Sequence, residues 1–394
     1  MKIAILGSGF IARFYATSLH AQRRKDSIVS VYSRDTEKAK RFAEDYQLPY
    51  FTNDMQAAIN YPEVEVVIIA LPNHLHEVAV TACAKAKKHV LCTKPLGRTA
   101  AEAKRMLIEV EAAGIFGGYL EDLCYTPKFL KSVESVRAGG IGRVLWAKSR
   151  ETHPGPHSDW FWDKERSGGG AIIDLGCHCV EISRGFIGKS IKPLEVMCWA
   201  ATQVHPIDAE DHAIGLVKFA NGAIGQFEVS WNFRGGMDLR DEVMGTEGTI
   251  WLNSFLRTGF EMFSTGKGGY VAEKAESNSG WLFPVGDEAH ELGYPNMFTD
   301  MFDAIENNRE PLETFYDGYI VNAVLDAAFL SAKSGKWETV QIEDWRGETP
   351  AIQADTFNSF DENYFLIKEE LLPNGDVYVI LKHKKSGVVE KRQK

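Results

Sequence analysis

"KIAILGSGFIARF", residues 2–14, sets an apolar run at 3–6 directly against a glycine turn and then places Phe10, Ile11 and Phe14 at helical spacing. A short buried strand that turns through glycines into a helix is the context a dinucleotide fingerprint needs. Gly7, Gly9 and Ala12 match G-x-G-x-x-A: Gly7 for the tight turn, Gly9 for approach of a pyrophosphate, Ala12 for close helix–strand packing. The first helical amides, at Phe10 and Ile11, then face the phosphates. A tight turn without a ligand uses the same residues, and only the strand–helix repetition downstream weighs against it.

That repetition is plain. "SIVSVYS", 27–33, is a second strand ending at Ser33-Arg34, where a Rossmann fold selecting NAD places an acidic residue against the ribose 2′-hydroxyl. Ser33 and Arg34 suit a 2′-phosphate instead, while Asp35 directly after them keeps NAD open, so NAD and NADP both stand. "VEVVIIALPNHLHEVAV", 64–80, is a buried strand running through Pro72-Asn73 into a helix containing His76, and "HVLCTKPLG", 89–97, repeats the design. Both turns fall at carboxyl ends of strands, the edge where open α/β sheets bind ligands. Leu71, Pro72, Asn73, His76, Thr93, Lys94 and Pro95 are therefore expected at the cofactor, with Asn73 and Lys94 beside its nicotinamide. Thr99 and Glu102 form a capping box for the next helix, and Gly114 stops it.

After Pro127 opens one more helix the pattern changes. Residues 194–253 read as antiparallel strands, with a turn at Asn221-Gly222, and helices are expected at about 296–308 and 314–334. The expected organisation is a Rossmann domain over 1–120 and an α+β domain over 121–345 with a large, open, mostly antiparallel sheet. An extension over 346–394 holds a hairpin at Asn374-Gly375 and a frayed basic end.

Between the halves, "AIIDLGCHC", 171–179, puts Asp174 and His178 four residues apart, on one face of a helix. Consecutive Cys177, His178 and Cys179 cannot easily converge on one tetrahedral ion, so no metal is expected. Just upstream, "HPGPHSDWFWDKERSGGG", 153–170, offers His153, His157, Trp160, Phe161, Trp162 and Arg166. Its aromatic rings suit either a platform for the apolar face of a sugar or ordinary packing. Glu121, Asp122 and Tyr125 in "GYLEDLCYTP" face a substrate or begin the next helix. Oxidising a secondary alcohol needs a nicotinamide, a base and a donor for the oxygen. His178 supplies the base, Asp174 orients it or binds a neighbouring hydroxyl, and Lys94 fixes the oxygen.

Composition narrows the partners. The formal net charge is −10 and charged residues are 25% of the chain, which speaks against a nucleic-acid groove. Six scattered cysteines include no CxxC, and neither a secretory leader nor about 18 consecutive apolar residues can be found. A cytoplasmic protein that binds no membrane is expected.

Taken in order, "GSGFIA", "ALPNHLHEVAV", "CTKPLG", "GGGAIIDLGCHCVEI" and "EVMGTEGTI" resemble the glucose–fructose oxidoreductase/inositol dehydrogenase (Gfo/Idh/MocA) family over roughly 1–345. The resemblance implies an active site between the two domains, sugars, cyclitols or their derivatives as substrates, and a homo-oligomer, dimer or tetramer, built on the open sheet. Lys94 matches the family's lysine of Glu-Lys-Pro, and Asp174 and His178 match its D-x-x-x-H. Thr93 stands where the family has glutamate, which leaves the charge state of Lys94 open, and Glu121-Asp122 stand where many relatives have arginine. The activity expected is NAD(P)-dependent oxidation of a secondary hydroxyl of a pyranose, glycoside or cyclitol. Two rivals remain. An NAD-dependent glycosidase working through a transient 3-keto sugar needs a second base, with Tyr125, His153, His157 and Glu121 as candidates. A non-catalytic NAD-binding regulator has no need of Lys94, Asp174 and His178 together. Arg166, Arg234 and Arg240 are available for a local anion pocket.

Overall fold

Short apolar runs alternating with helices build the N-terminal sheet of the computed structural model, which describes residues 1–23, 25–255, 260–266, 277–350 and 357–394. Its strands are β1 (Lys2–Leu6), β2 (Ser27–Tyr32), β3 (Phe51–Thr52), β4 (Val66–Ile69), β5 (His89–Thr93) and β6 (Gly117–Leu120). They lie parallel in the order β3-β2-β1-β4-β5-β6, the doubly wound arrangement. β4, a run of four β-branched residues, is fully buried, as a strand covered on both faces must be. Caps fix the helix starts. Asp35 accepts from the amides of Glu37 and Lys38 at the head of the helix Thr36–Asp45, and Thr99 accepts from Glu102 at the head of Ala100–Ala113, which Gly114 ends in the left-handed region. Strand order reverses between β1 and β4, which opens a crevice at their carboxyl ends.

The second sheet holds β7 (Val144–Thr152), β8 (Pro193–Ala201), β9 (His212–Phe219), β10 (Ile224–Ser230), β11 (Asp238–Gly245) and β12 (Thr249–Asn253), with β13 (Met262–Thr265) and β14 (Ser279–Leu282) pairing apart from it. Completed by β15 (Glu338–Thr339), its order is β12-β11-β7-β10-β9-β8-β15, with β7 and β10 parallel and the other pairs antiparallel. The helices Gly176–Ile187 and Phe315–Ser334 pack on it, and the first is buried along nearly its whole length. On β7 the period of two sends Ala147, Ser149 and Glu151 inward, and Trp146, Lys148 and Arg150 outward.

The inward face carries more charge than alternation alone suggests. Asp241 of β11 sits opposite Ser149 in the ladder, and burial pushes its carboxyl up to about 7, opposed by a hydrogen bond to Ser149. A folded-state value above the unfolded one means the stabilisation is complete below the unfolded value and is lost as pH rises through about 7. Asp241→Asn is therefore expected to raise the melting temperature relative to the parent at pH 8, by at least about 2 °C, and to give a clearly smaller gain at pH 5. Thermal unfolding at the two pH values checks this, and an equal shift at both means Asp241 is ionised in the fold.

The chain divides into two compact units, Met1–Thr349 and Pro350–Lys394. The second is a meander of β16 (Tyr364–Leu371), β17 (Val377–His383) and β18 (Val389–Gln393), turning between the first two at Asn374-Gly375. The end of the chain, expected to fray, is instead a paired strand. Its backbone runs antiparallel to β17, and Lys391 and Lys394 reach across to Glu370 and Glu369. Among the described residues, no helix is long and apolar enough to cross a membrane.

Candidate active site

The loop after β1 turns because Gly7 has φ of +116° and passes so close to Ala70 that a Cβ there would lie 2.2 Å from the Ala70 carbonyl oxygen. Gly9 then heads the helix Phe10–Gln22 with no side-chain cap, and a Cβ on it would meet nothing within 4 Å. Uncapped helical amides beside open space make a pyrophosphate seat. The seat opens into a cleft of about 860 Å³ lined by Gly7, Gly9, Phe10, Ile11, Leu71, Pro72, Asn73, Thr93 and Lys94, and at one end by Ser33 and Arg34. Lys38 and Arg41 line the cleft too, and neither these two nor Arg34 has an ion-pair partner among the described residues. The carboxylate of Asp35 is spent on its helix cap. The residues present thus fit a nicotinamide dinucleotide.

Two expected cofactor contacts do not line the cleft. His76 is fully buried: one ring nitrogen meets the Leu71 carbonyl at 2.9 Å, and the other meets the Pro95 and Leu96 carbonyls, each at 3.1 Å. It ties two cofactor-side turns together from behind. Pro95 is likewise absent from the lining.

At the far end of the cleft, Lys94 Nζ donates to the Asp174 carbonyl at 2.9 Å and to Asp174 Oδ1 at 3.0 Å. Asp174 Oδ2 accepts from the indole of the buried Trp231 at 3.1 Å and lies 3.9 Å from His153 Nε2. Burial pulls the Lys94 ammonium down, yet Asp174, Cys177 and Glu151 outweigh it and hold lysine well above its usual range. Lys94 is thus a charged donor despite Thr93 replacing glutamate; the Thr93 hydroxyl is paired with the Tyr15 hydroxyl at 2.8 Å.

His178 lines the cleft and burial lowers it to about 3, with Lys94 adding to the effect. Its orienting partner is not Asp174. The helical run pauses at Leu175, between Ala171–Asp174 and Gly176–Ile187, and Asp174 is committed to Lys94 and Trp231. Glu121, fully buried behind His178, is hydrogen-bonded to Nδ1 instead, which removes it from the substrate contacts expected of it. Burial lifts the Glu121 carboxyl to about 8 against the pull of Lys94. The run starts where it does because Gly170 lies so close to Glu210 that a Cβ would be 1.8 Å from its carbonyl oxygen, while Glu210 Oε1 accepts from the Gly170 and Ile172 amides. Glu121, Cys177 and His178 bring ligand atoms within 4.8 Å of one another, but the Cys177 thiol, raised by burial, donates to the Asp174 carbonyl. Of the three, Glu121 and His178 are hydrogen-bonded to each other and Cys177 to Asp174.

Of the remaining substrate candidates, His153, His157, Trp160 and Arg166 line the cleft; Trp160 stacks on Phe161, and His157 packs against Phe10. Tyr125 does not: it is buried with its hydroxyl on Asp300 at 2.9 Å. Trp162 packs on Trp231 and His205 outside the lining, and Arg240 pairs with Asp238. Arg234 is also absent from the lining. Sequence reasoning missed Glu151, which lines the cleft with Oε2 4.0 Å from His178 Nε2. The signal was available, since alternation along β7 points a carboxylate inward.

Comparison with known proteins gives separate matches to the stretches that carry the two large sheets. Residues 1–116 match the family model described as "Oxidoreductase family, NAD-binding Rossmann fold", and residues 129–251 match "GFO/IDH/MocA C-terminal domain". Levoglucosan dehydrogenase of Pseudarthrobacter phenanthrenivorans is 26% identical, over 86% of this chain and 98% of the relative. Myo-inositol 2-dehydrogenase of Thermotoga maritima is 29% identical, over 66% and 77%. Among solved structures, GenD2 from gentamicin A biosynthesis, in complex with NAD, superposes with a TM-score of 0.82 and 30% identity, covering 87% of this chain and 97% of that one.

Proposed function

The chain belongs to the GFO/IDH/MocA oxidoreductase family, and from that premise we propose that it oxidises a secondary hydroxyl of a sugar, glycoside or cyclitol with NAD(P). One observation carries the reading: a charged lysine, Lys94, and an imidazole, His178, line the same end of a cleft whose other end is a dinucleotide seat. A nicotinamide dinucleotide held by Gly7, Gly9 and the head of the helix Phe10–Gln22 would supply the hydride acceptor or donor. Lys94 donates to the reacting oxygen and offsets the negative charge that grows on it, and Asp174 and Trp231 hold that ammonium in place. His178 exchanges the hydroxyl proton through Nε2 while Glu121 fixes Nδ1. Mass spectrometry of products from a panel of glycosides and inositols tests it. A product lighter by two hydrogens, with stoichiometric reduced cofactor, supports a dehydrogenase; free sugar without net reduced cofactor supports the redox-assisted glycosidase instead.

Ser33 and Arg34, with Lys38 and Arg41 nearby and Asp35 turned into its helix, support acceptance of a 2′-phosphate. NADPH is expected to bind at least as tightly as NADH. Arg34→Ala is expected to weaken NADPH by about tenfold or more and NADH by less than about twofold, since a charge-assisted contact to phosphate is lost. Fluorescence titration reads both, and equal losses would mean Arg34 does not face the 2′ position. For assembly, the outer face of the second sheet carries Trp199, Ile214, Met244 and Trp251, all exposed, which suits a homo-oligomer.

A further inference from the structure

The substrate end of the cleft is acidic beyond what the chemistry above uses. Glu151, at the end of β7, has 8% of its side chain exposed, and its Oε2 has no hydrogen-bond partner among the described residues. Asp122 lines the same cleft, buried, with no lysine or arginine paired to it among the described residues. The cation acting on both is Lys94, and it is already bound to Asp174. A carboxylate left unpaired in a buried site is costly unless something brings it a hydrogen bond and a charge.

We propose that the substrate is an amino sugar or aminocyclitol whose ammonium group, on the carbon next to the oxidised hydroxyl, is received by Glu151 with Asp122 alongside. The position follows from geometry. Glu151 Oε2 lies 4.0 Å from His178 Nε2, the atom assigned the hydroxyl proton, so a group bound to Glu151 sits on the neighbouring ring carbon. The inference rests on His178 and Lys94 marking the reacting carbon, as proposed above. A neutral hydroxyl would satisfy one hydrogen bond of Glu151, whereas an ammonium supplies a charge-assisted bond and the missing counter-charge. Burial, opposed by Lys94 and reinforced by Asp174, Glu121 and Asp122, lifts the Glu151 carboxyl well above its usual range, as befits an acid whose cation is absent. A chain of net charge −10 also favours the approach of a cationic ligand over an anionic one.

The test pairs neutral rings with their amino analogues: methyl glucoside against the analogues with an amino group at carbon two or three, and myo-inositol against an aminodeoxyinositol. Each is offered to the full chain with NAD and with NADP for turnover, and to the chain loaded with reduced cofactor for calorimetric binding. At least one amino compound is expected to exceed its neutral parent by about tenfold or more in kcat/KM and in affinity, and Glu151→Gln to bring that ratio close to one. If Glu151→Gln does not fold, Asp122→Asn is read in its place and should lower the ratio. Neutral parents handled as well as every amino analogue would overturn the proposal and leave the dehydrogenase standing, and a preference untouched by the substitution would overturn the assignment to these carboxylates. Tighter binding of an amino compound with no cofactor reduced by any ring would uphold the ammonium site and sink the dehydrogenase.

Discussion

Lys94→Ala is expected to lower turnover by about a thousandfold while changing the affinity for reduced cofactor by less than about twofold. The reasoning starts from charge. Lysine is the ammonium that Asp174 holds at the reacting end of the cleft, and Asp174 is fixed in turn by the Trp231 indole and the carbonyl contact to the same lysine. Removing the side chain takes away the donor for the developing alkoxide and breaks the ion pair with Asp174, two losses that point the same way. The dinucleotide seat, by contrast, is built from Gly7, Gly9 and the head of the helix Phe10–Gln22, none of which depends on Lys94. Lys94→Arg should rescue little, because a planar fork cannot reproduce a single ammonium bonded to both the carbonyl and the carboxylate of one residue. Single-turnover kinetics beside a fluorescence titration of cofactor separates the two effects. Turnover within about tenfold of the parent would remove Lys94 from the chemistry.

Why some of this could be read from one sequence and some could not comes down to the range of the interactions. The strand–turn–helix of the first residues is local. Gly7 needs a left-handed φ, Gly9 needs open space, and the apolar spacing on both sides is written within fourteen residues. Lys94, at the carboxyl end of a recognisable strand, was legible for the same reason. The partner of His178 was not. Helical spacing offered Asp174, four residues away, but the pause at Leu175 and two competing donors, Lys94 and Trp231, turn that carboxylate elsewhere. The group that does hold His178 is Glu121, from the segment after β6, and no spacing rule connects positions 121 and 178. His76 shows the opposite failure. Its place just after a ligand-binding turn argued for contact with cofactor, yet both ring nitrogens are consumed by backbone carbonyls of the two turns it braces. Burial decided each of these outcomes, and burial of a polar side chain depends on the whole fold.

The pair Glu121 and His178 should also set the pH at which oxidation becomes fast. Burial raises Glu121 to about 8 and lowers His178 to about 3, so through the neutral range the hydrogen-bonded pair keeps a proton that an isolated glutamate would have given up. In that state Nδ1 is engaged with a protonated carboxyl, Nε2 carries the imidazole proton, and the face toward the cleft is a donor suited to returning a proton to a carbonyl. Loss of one proton from the pair leaves Glu121 ionised, draws the imidazole proton to Nδ1 and frees Nε2 to accept. Oxidation is therefore expected to rise with pH to a plateau above about 8 and reduction to fall over the same range, the apparent value belonging to the pair rather than to either residue. Glu121→Gln tests the assignment, because an amide cannot titrate. The step near 8 should vanish even though the hydrogen bond to Nδ1 can persist through the amide oxygen, and a step that survives would mean another group sets it. His178→Ala should cost about a thousandfold and recover in part as solvent base becomes abundant at high pH, whereas a flat profile would mean His178 orients the substrate without exchanging its proton.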